Sequence, residues 1–172
     1  MALDRKTFFI EELKRHFQGD VASARAAEVD AAKAADEVRK QARNKDDAKA
    51  AVDPGRMANG HRKRRQRAVR ELETLILFAS QGTKRFGPNS KIALGAMIDV
   101  SIEGDEGQEE RTLFLLPVGA GTELSGPGGD GFISVIGPKS PVGIALTGSV
   151  AGDEVEVIVG GHDREWSVVD VY

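Results

Sequence analysis

The chain has 172 residues, no cysteine and a formal net charge of −3. That length fits one large domain or two small ones, and the missing cysteines exclude a disulfide framework or a thiolate metal site. The start, Met1-Ala2-Leu3-Asp4-Arg5-Lys6, lacks the apolar run of a signal peptide, and no stretch is long enough to span a bilayer; a soluble cytoplasmic protein without a membrane partner is expected. The charge is unevenly divided. Residues 1–80 hold 18 Lys and Arg against 13 Asp and Glu, a net +5, whereas residues 81–172 hold 6 against 14, a net −8. A basic half joined to an acidic half suggests two modules with different partners, or merely uneven decoration of solvated faces.

From Asp4 to about Asn44 the chain contains no proline and only Gly19, and it is rich in alanine, glutamate, lysine and arginine, all good helix formers. Ile10, Leu13, Phe17, Ala24, Ala27, Ala31, Ala34 and Val38 recur at spacings of three and four, with a gap around Asp20 and Val21. This is a helical stripe whose small residues admit a close partner helix. A long rod cannot bury its stripe against itself. The partner expected is the stretch from Gly55 to Ser80, with Met57, Ala68, Leu72, Leu75 and Ile76 as its apolar face. Pro54-Gly55 reads as the turn before it. The seam is strongest near Leu72–Phe78 and weak near His61–Arg65, and Phe8, Phe9, Ile10 and Leu13 are placed to pack near the base.

After a linker over residues 81–90 the texture changes to short β-prone runs between glycine-rich turns. Strands are predicted over Ile92–Ile102, Arg111–Pro117, Phe132–Ile136, Asp153–Val159 and Arg164–Val171. Between them, Ser140-Pro141-Val142-Gly143-Ile144-Ala145-Leu146 carries helix signals: Ser140 as N-cap, Pro141 at the first turn and Gly148 at the close. The expected fold is α+β: an antiparallel coiled-coil hairpin over residues 1–80, then a small domain over 91–172 with a twisted antiparallel sheet and one short helix.

The segment Ile136 to Leu146, followed by Gly152-Asp153-Glu154-Val155-Glu156-Val157, resembles the C-terminal signature of the bacterial GreA/GreB transcription factors: a serine-proline, a small residue and a leucine on a short helix, then a Gly-Asp-(Glu)-Val strand start. Gly95-Ala96-Met97-Ile98-Asp99-Val100 resembles that family's first C-terminal strand, and Trp166–Tyr172 its last. The order of parts agrees as well, with a coiled coil, a linker and an FKBP-like domain. The resemblance implies an elongation factor that is not itself an enzyme. It would dock its C-terminal domain on RNA polymerase core, enter the secondary channel with its hairpin, and promote cleavage of backtracked RNA at the polymerase active site. It further implies a monomer that binds no cofactor alone but shares Mg²⁺ with the polymerase, since such an ion needs only one or two protein carboxylates beside phosphates.

The same resemblance assigns candidate site residues. The family's tip pattern is roughly Asp-x-x-Glu-Asn-x-Glu/Asp-Tyr. Setting Leu75 on the family's characteristic leucine puts Asp47 on the first acid and Asp53 on the later one, leaving Ala50 where the glutamate belongs and Pro54 where the tyrosine belongs. Asp46 is the available substitute. Asp46, Asp47 and Asp53 are therefore the candidate metal-facing carboxylates, and a solvated polar loop is the plain alternative. Arg56, Lys63, Arg67 and Arg70 share one face by helical spacing and would face the nascent RNA 3′ end, where contacts to phosphate are salt-dependent and blind to sequence; a hydrated coiled-coil face explains them equally. Lys139, Ser140 and Pro141 fall in the loop that contacts polymerase in relatives, although a capped short helix already accounts for Ser140 and Pro141.

His16, His61 and His162 show no metal-ligand spacing, and Trp166 is expected to pack the sheet. Three other functions stay open: a Gre-like modulator or inhibitor without cleavage stimulation, an FKBP-type prolyl isomerase with a helical arm, and a coiled-coil adaptor unrelated to polymerase.

Overall fold

The computed structural model describes residues 4–41, 52–87, 89–104, 107–129, 131–159 and 161–172. They form two helices, α1 (Arg5–Gln41) and α2 (Val52–Ser80), and then strands β1 (Met97–Gly104), β2 (Gly107–Leu115), β3 (Glu123–Ser125), β4 (Phe132–Ile136), β5 (Glu154–Val159) and β6 (His162–Val171), with a short helix α3 (Pro141–Leu146) between β4 and β5. The α+β class expected from the sequence is the one found. Two compact units result, Lys14–Glu73 and Met1–Leu13 with Thr74–Tyr172.

In the first unit α1 and α2 pair as an antiparallel hairpin. The α1 seam holds Phe17, Val21, Ala24, Glu28, Ala31, Ala35 and Val38, all buried or half-buried. It departs from the expected stripe after Phe17: two successive steps of four, Leu13 to Phe17 to Val21, move alternate positions, so that Glu28 and Ala35 replace Ala27 and Ala34 while Ala24, Ala31 and Val38 stay. Ala35 is therefore 5 % exposed, and Ala34, expected on the seam, lies exposed. Such a stutter locally unwinds the supercoil so that the stripe keeps facing its partner. The sequence gap at Asp20 and Val21 marks the place.

On α2 the seam is Pro54, Ala58, His61, Arg65, Ala68 and Leu72, continued along the helix by Leu75 and Ala79 in strict alternation of four and three. Met57 and Ile76, expected on that face, are 60 % and 49 % exposed, because each lies beside a seam position rather than on one. Pro54 and Gly55 do not precede α2 but fall inside its first turn. The first amides of a helix have no intrahelical acceptor, so a proline there forfeits nothing.

In the second unit the strands run in the order β3-β4-β2-β1-β6-β5. The sheet is mixed where an antiparallel one was expected, since β4 lies parallel to β2. The chain between Leu115 and Phe132 is long enough for the crossover that a parallel pair requires, and β3, of three residues, hairpins onto β4 along it. Ile92–Ala96, expected as strand, is a turn instead. Gly95 there has φ of +93°, and a Cβ would lie 3.3 Å from the Phe78 ring, so only glycine suits the position.

One face of the sheet is the core. Ile98, Val100 and Ile102 of β1 pack with Leu113 and Leu115 of β2, Val157 of β5, and Trp166 and Val168 of β6, under Leu146 of α3. Trp166 is thus a packing residue. Burying side chains of this size contributes roughly 1.5–3 kcal/mol each. Elsewhere in the unit Phe9, Ile10, Leu13 and Leu75 are buried, and Lys6, also buried, donates from Nζ to the Lys84 carbonyl at 2.8 Å while standing 4.7 Å over the Phe86 ring.

Candidate functional site

The α2 heptad sorts the basic run by direction. With Ala58, Arg65 and Leu72 at one seam position, and His61 and Ala68 at the other, Arg56, Lys63 and Arg70 fall at the outermost position of the repeat and Arg67 beside them. All four are exposed. Arg67 is 81 % exposed at its side chain and bridges to Glu71 one turn on, at 3.1 Å. A cation this exposed keeps most of its field for other partners.

Two other arginines of the run reach across to α1. Glu28 of α1 accepts from Arg65 Nε at 2.9 Å and from Arg62 Nε at 3.3 Å. The hydrogen bond from Arg65, opposed by desolvation and reinforced by both guanidinium charges, holds the Glu28 carboxyl below the usual carboxylate range. One carboxylate is thus shared by two cations at the middle of the hairpin, and the cluster keeps one net positive charge. The clamp was readable on α2, where the heptad puts His61 and Arg65 on the seam. It was hidden on α1, because Glu28 reaches the seam only through the stutter. Beside the clamp a groove of about 430 Å³ is walled by His61, Arg64 and Arg67 together with Asp20 and Glu71. Mixed charge makes it a poor anion trap.

Of the tip carboxylates, Asp53 stands exposed in the first turn of α2, where a negative charge suits the helix dipole. Asp46 and Asp47 lie outside the described residues. Among the described residues no three His, Asp or Glu side chains converge as metal ligands, and one exposed carboxylate does not hold Mg²⁺ by itself. His16 pairs with Asp20 at 3.5 Å on the surface of α1, and His61 occupies the seam.

At the start of α3 Ser140 caps the helix. Its Oγ accepts from the Gly143 amide at 3.0 Å and donates to the Gly137 carbonyl at 2.8 Å, so its hydroxyl is spent on the turn. Lys139 and Pro141 on either side are exposed, and Ile144 one turn on is 64 % exposed. The surface offered is therefore a cation with two apolar groups. Gly143 explains the small residue of the motif: a Cβ there would lie 2.0 Å from the Gly137 oxygen. No helix among the described residues is long and apolar enough to cross a membrane.

The described residues thus comprise a helical hairpin with an outward basic row and a six-stranded mixed sheet with one capped helix. Residues 87–172, half of the chain, match the family described as transcription elongation factor, GreA/GreB, C-terminal. The chain belongs to the GreA/GreB family. Similar solved structures include GreA factor homolog 1 (Gfh1) of Thermus thermophilus, 19 % identical, with a TM-score of 0.37 over 92 % of this chain and 94 % of that one. A structure of the transcription factor Gfh1 is 20 % identical, with a TM-score of 0.38 and 92 % of each chain covered; Thermus aquaticus Gfh1 is 16 % identical, at 0.35 with the same coverage. No curated protein sequence matches the chain.

Proposed function

We propose that this chain is a monomeric elongation factor that binds RNA polymerase core through its C-terminal unit. In this reading it passes the hairpin into the secondary channel and promotes cleavage of backtracked RNA without catalysing a reaction itself. The observation that carries the reading is the division of the basic run. Arg62 and Arg65 are bound up with Glu28, whereas Arg56, Lys63, Arg67 and Arg70 form an outward row along α2 suited to the phosphates of a nascent RNA 3′ end. Lys139, Pro141 and Ile144 supply the polymerase-docking surface, with Ser140 holding its shape. Mg²⁺ enters only as an ion that the polymerase holds; Asp46, Asp47 and Asp53 are the carboxylates that would approach it.

A second reading keeps the binding and drops the cleavage: a modulator that occupies the channel. Ala50, standing where the family pattern has glutamate, favours it. Competition with a GreA or GreB factor for purified core polymerase tests both readings, and failure to compete ends both. Transcript cleavage in stalled, backtracked complexes then separates them. The first reading expects cleavage that Asp47→Ala abolishes; no cleavage by the wild-type chain leaves the modulator.

A further inference from the structure

Charge is divided within the C-terminal half as sharply as between the halves. Residues 84–98 and 131–152 contain Lys84, Arg85, Lys91 and Lys139 and no Asp or Glu. The rest of 81–172 holds all 14 acids and only two cations, Arg111 and Arg164, so a net +4 stands against −12. The fold brings the two acid-free segments together. The Ile92 amide donates to the Ser149 carbonyl at 2.8 Å, and the Ile92 carbonyl accepts from the Gly148 amide at 2.9 Å. Lys91 therefore stands beside the end of α3, and Lys139 directly precedes its Ser140 cap. Phe86 and Leu94 of one segment and Val142 and Ala145 of the other pack against the same core.

All four cations are exposed, and none forms an ion pair among the described residues. Arg111, by contrast, is paired with Glu109 at 2.8 Å. Asp153, the first acid after α3, is turned to the Val150 amide at 2.9 Å. Asp4 accepts from Thr83, next to Lys84, at 3.3 Å, which leaves Lys91 and Lys139 as the pair flanking α3. Between them lie exposed Pro141 and Ile144, 64 % exposed. A helix of six residues is about 9 Å long, and carboxylates two turns apart on a partner helix are separated by about 11 Å. An apolar side chain between those carboxylates would cover Ile144, as in helix-to-surface recognition. Nucleic acid fits less well, because phosphate leaves Ile144 bare and the acidic remainder of the domain repels it.

We propose that the surface formed by Lys139, Ile144 and Lys91 receives an acidic helix of RNA polymerase. Two carboxylates of that helix meet the lysines, and an apolar side chain between them seats on Ile144. This rests on the docking part of the function proposed above. It adds the chemistry of the partner and a residue, Lys91, from outside the Ile136–Leu146 motif. Charges at the rim of such an interface act chiefly on the rate of encounter and on its salt dependence.

The test is the affinity of the intact chain for purified core polymerase, measured by competition with a labelled GreA or GreB factor at several salt concentrations. Lys91→Gln and Lys139→Gln should each weaken binding at least fivefold and flatten its salt dependence. Lys91→Arg should keep the wild-type affinity, and Arg164→Gln should change neither property; melting curves verify that each variant is folded. In parallel, amide NMR follows titration of the chain with the acetylated peptide Ala-Glu-Ala-Ala-Leu-Ala-Ala-Ala-Glu-Ala, its glutamine-for-glutamate counterpart and a uridine tetranucleotide. The acidic peptide alone should shift the amides of Lys91, Lys139 and Ile144. Competition that Lys91→Gln leaves unchanged ends this proposal but not the docking reading, whereas no competition by the wild type ends both. Equal shifts from the glutamine peptide or the tetranucleotide also overturn it.

Discussion

Glu28 and Arg65 meet across the helical hairpin at 2.9 Å, at a level where a coiled coil ordinarily sets two apolar side chains together. Alanines fill much of the remaining seam, so the pair supplies both bulk and registry: sliding one helix by a turn would strand Arg65 without its carboxylate. A polar pair at one seam position is a known way of fixing register at some expense of stability. In Glu28→Ala the Arg65 guanidinium loses its acceptor in a partly enclosed position, and the thermal midpoint followed by circular dichroism should fall. Glu28→Leu/Arg65→Leu, which leaves no unpaired charge, should melt at or above the wild type. A midpoint unchanged in Glu28→Ala would mean that the clamp contributes nothing.

The same carboxylate sets an acid limit. Its folded-state value is depressed, so its stabilisation is present above the unfolded carboxylate value and is lost as pH falls through the folded one. Urea unfolding below the ordinary carboxylate range should show a steeper loss of stability in the wild type than in Glu28→Gln. Parallel curves would contradict this.

Lys6 works at the alkaline end. Burial, partly offset by Asp4, lowers it from 10.5 to about 8. The unfolded chain therefore binds more protons than the folded one between those values, and stability contributed by this site rises as pH climbs through that window. Tyr172, raised by its own burial and by Asp99, acts in the opposite direction at higher pH, so the comparison must be with Lys6→Met. That variant should lack the alkaline gain, a difference on the order of 1–3 kcal/mol across the window, read from urea denaturation at pH 7 and pH 10.

In the short helix, Gly143→Ala would push a methyl group against the Gly137 carbonyl, 2.0 Å away in the unrelaxed fold. Overpacking of this kind costs about 1–3 kcal/mol. Ser140→Ala removes the cap seen at 3.0 Å and should cost about 1 kcal/mol. Equilibrium unfolding measures both, and the glycine variant should be the weaker of the two.

If the outward row of α2 meets RNA phosphate, each of Arg56→Gln, Lys63→Gln, Arg67→Gln and Arg70→Gln should weaken binding to backtracked complexes and reduce the slope of log affinity against log salt by about 1. Arg64→Gln, which lines the groove beside the clamp, serves as a comparison of equal charge. A salt slope unaltered in all four variants would remove RNA from the reading.

Much of this architecture was already legible in the linear chain. Alanine-rich spacing of three and four can bury itself only against a second helix, and the serine, proline and glycines around α3 have few other local solutions. Those choices are made within one or two turns, where steric and hydrogen-bonding preferences act directly. The outward grouping of Arg56, Lys63, Arg67 and Arg70 follows from the same period.

Other features needed contacts between distant segments. The stutter that brings Glu28 onto the seam depends on which α1 residues meet α2, and both periods fit the sequence equally well until the helices pair. The parallel β2–β4 pair, the three-residue β3 and the facing of Glu156 by Glu165 are matters of strand register, which alternation within a single strand does not specify. Local periodicity thus determined which elements form and which side chains face outward; only tertiary packing decided which charges would be neutralised and which left to repel, because Coulomb energy depends on distances that are set when the segments come together.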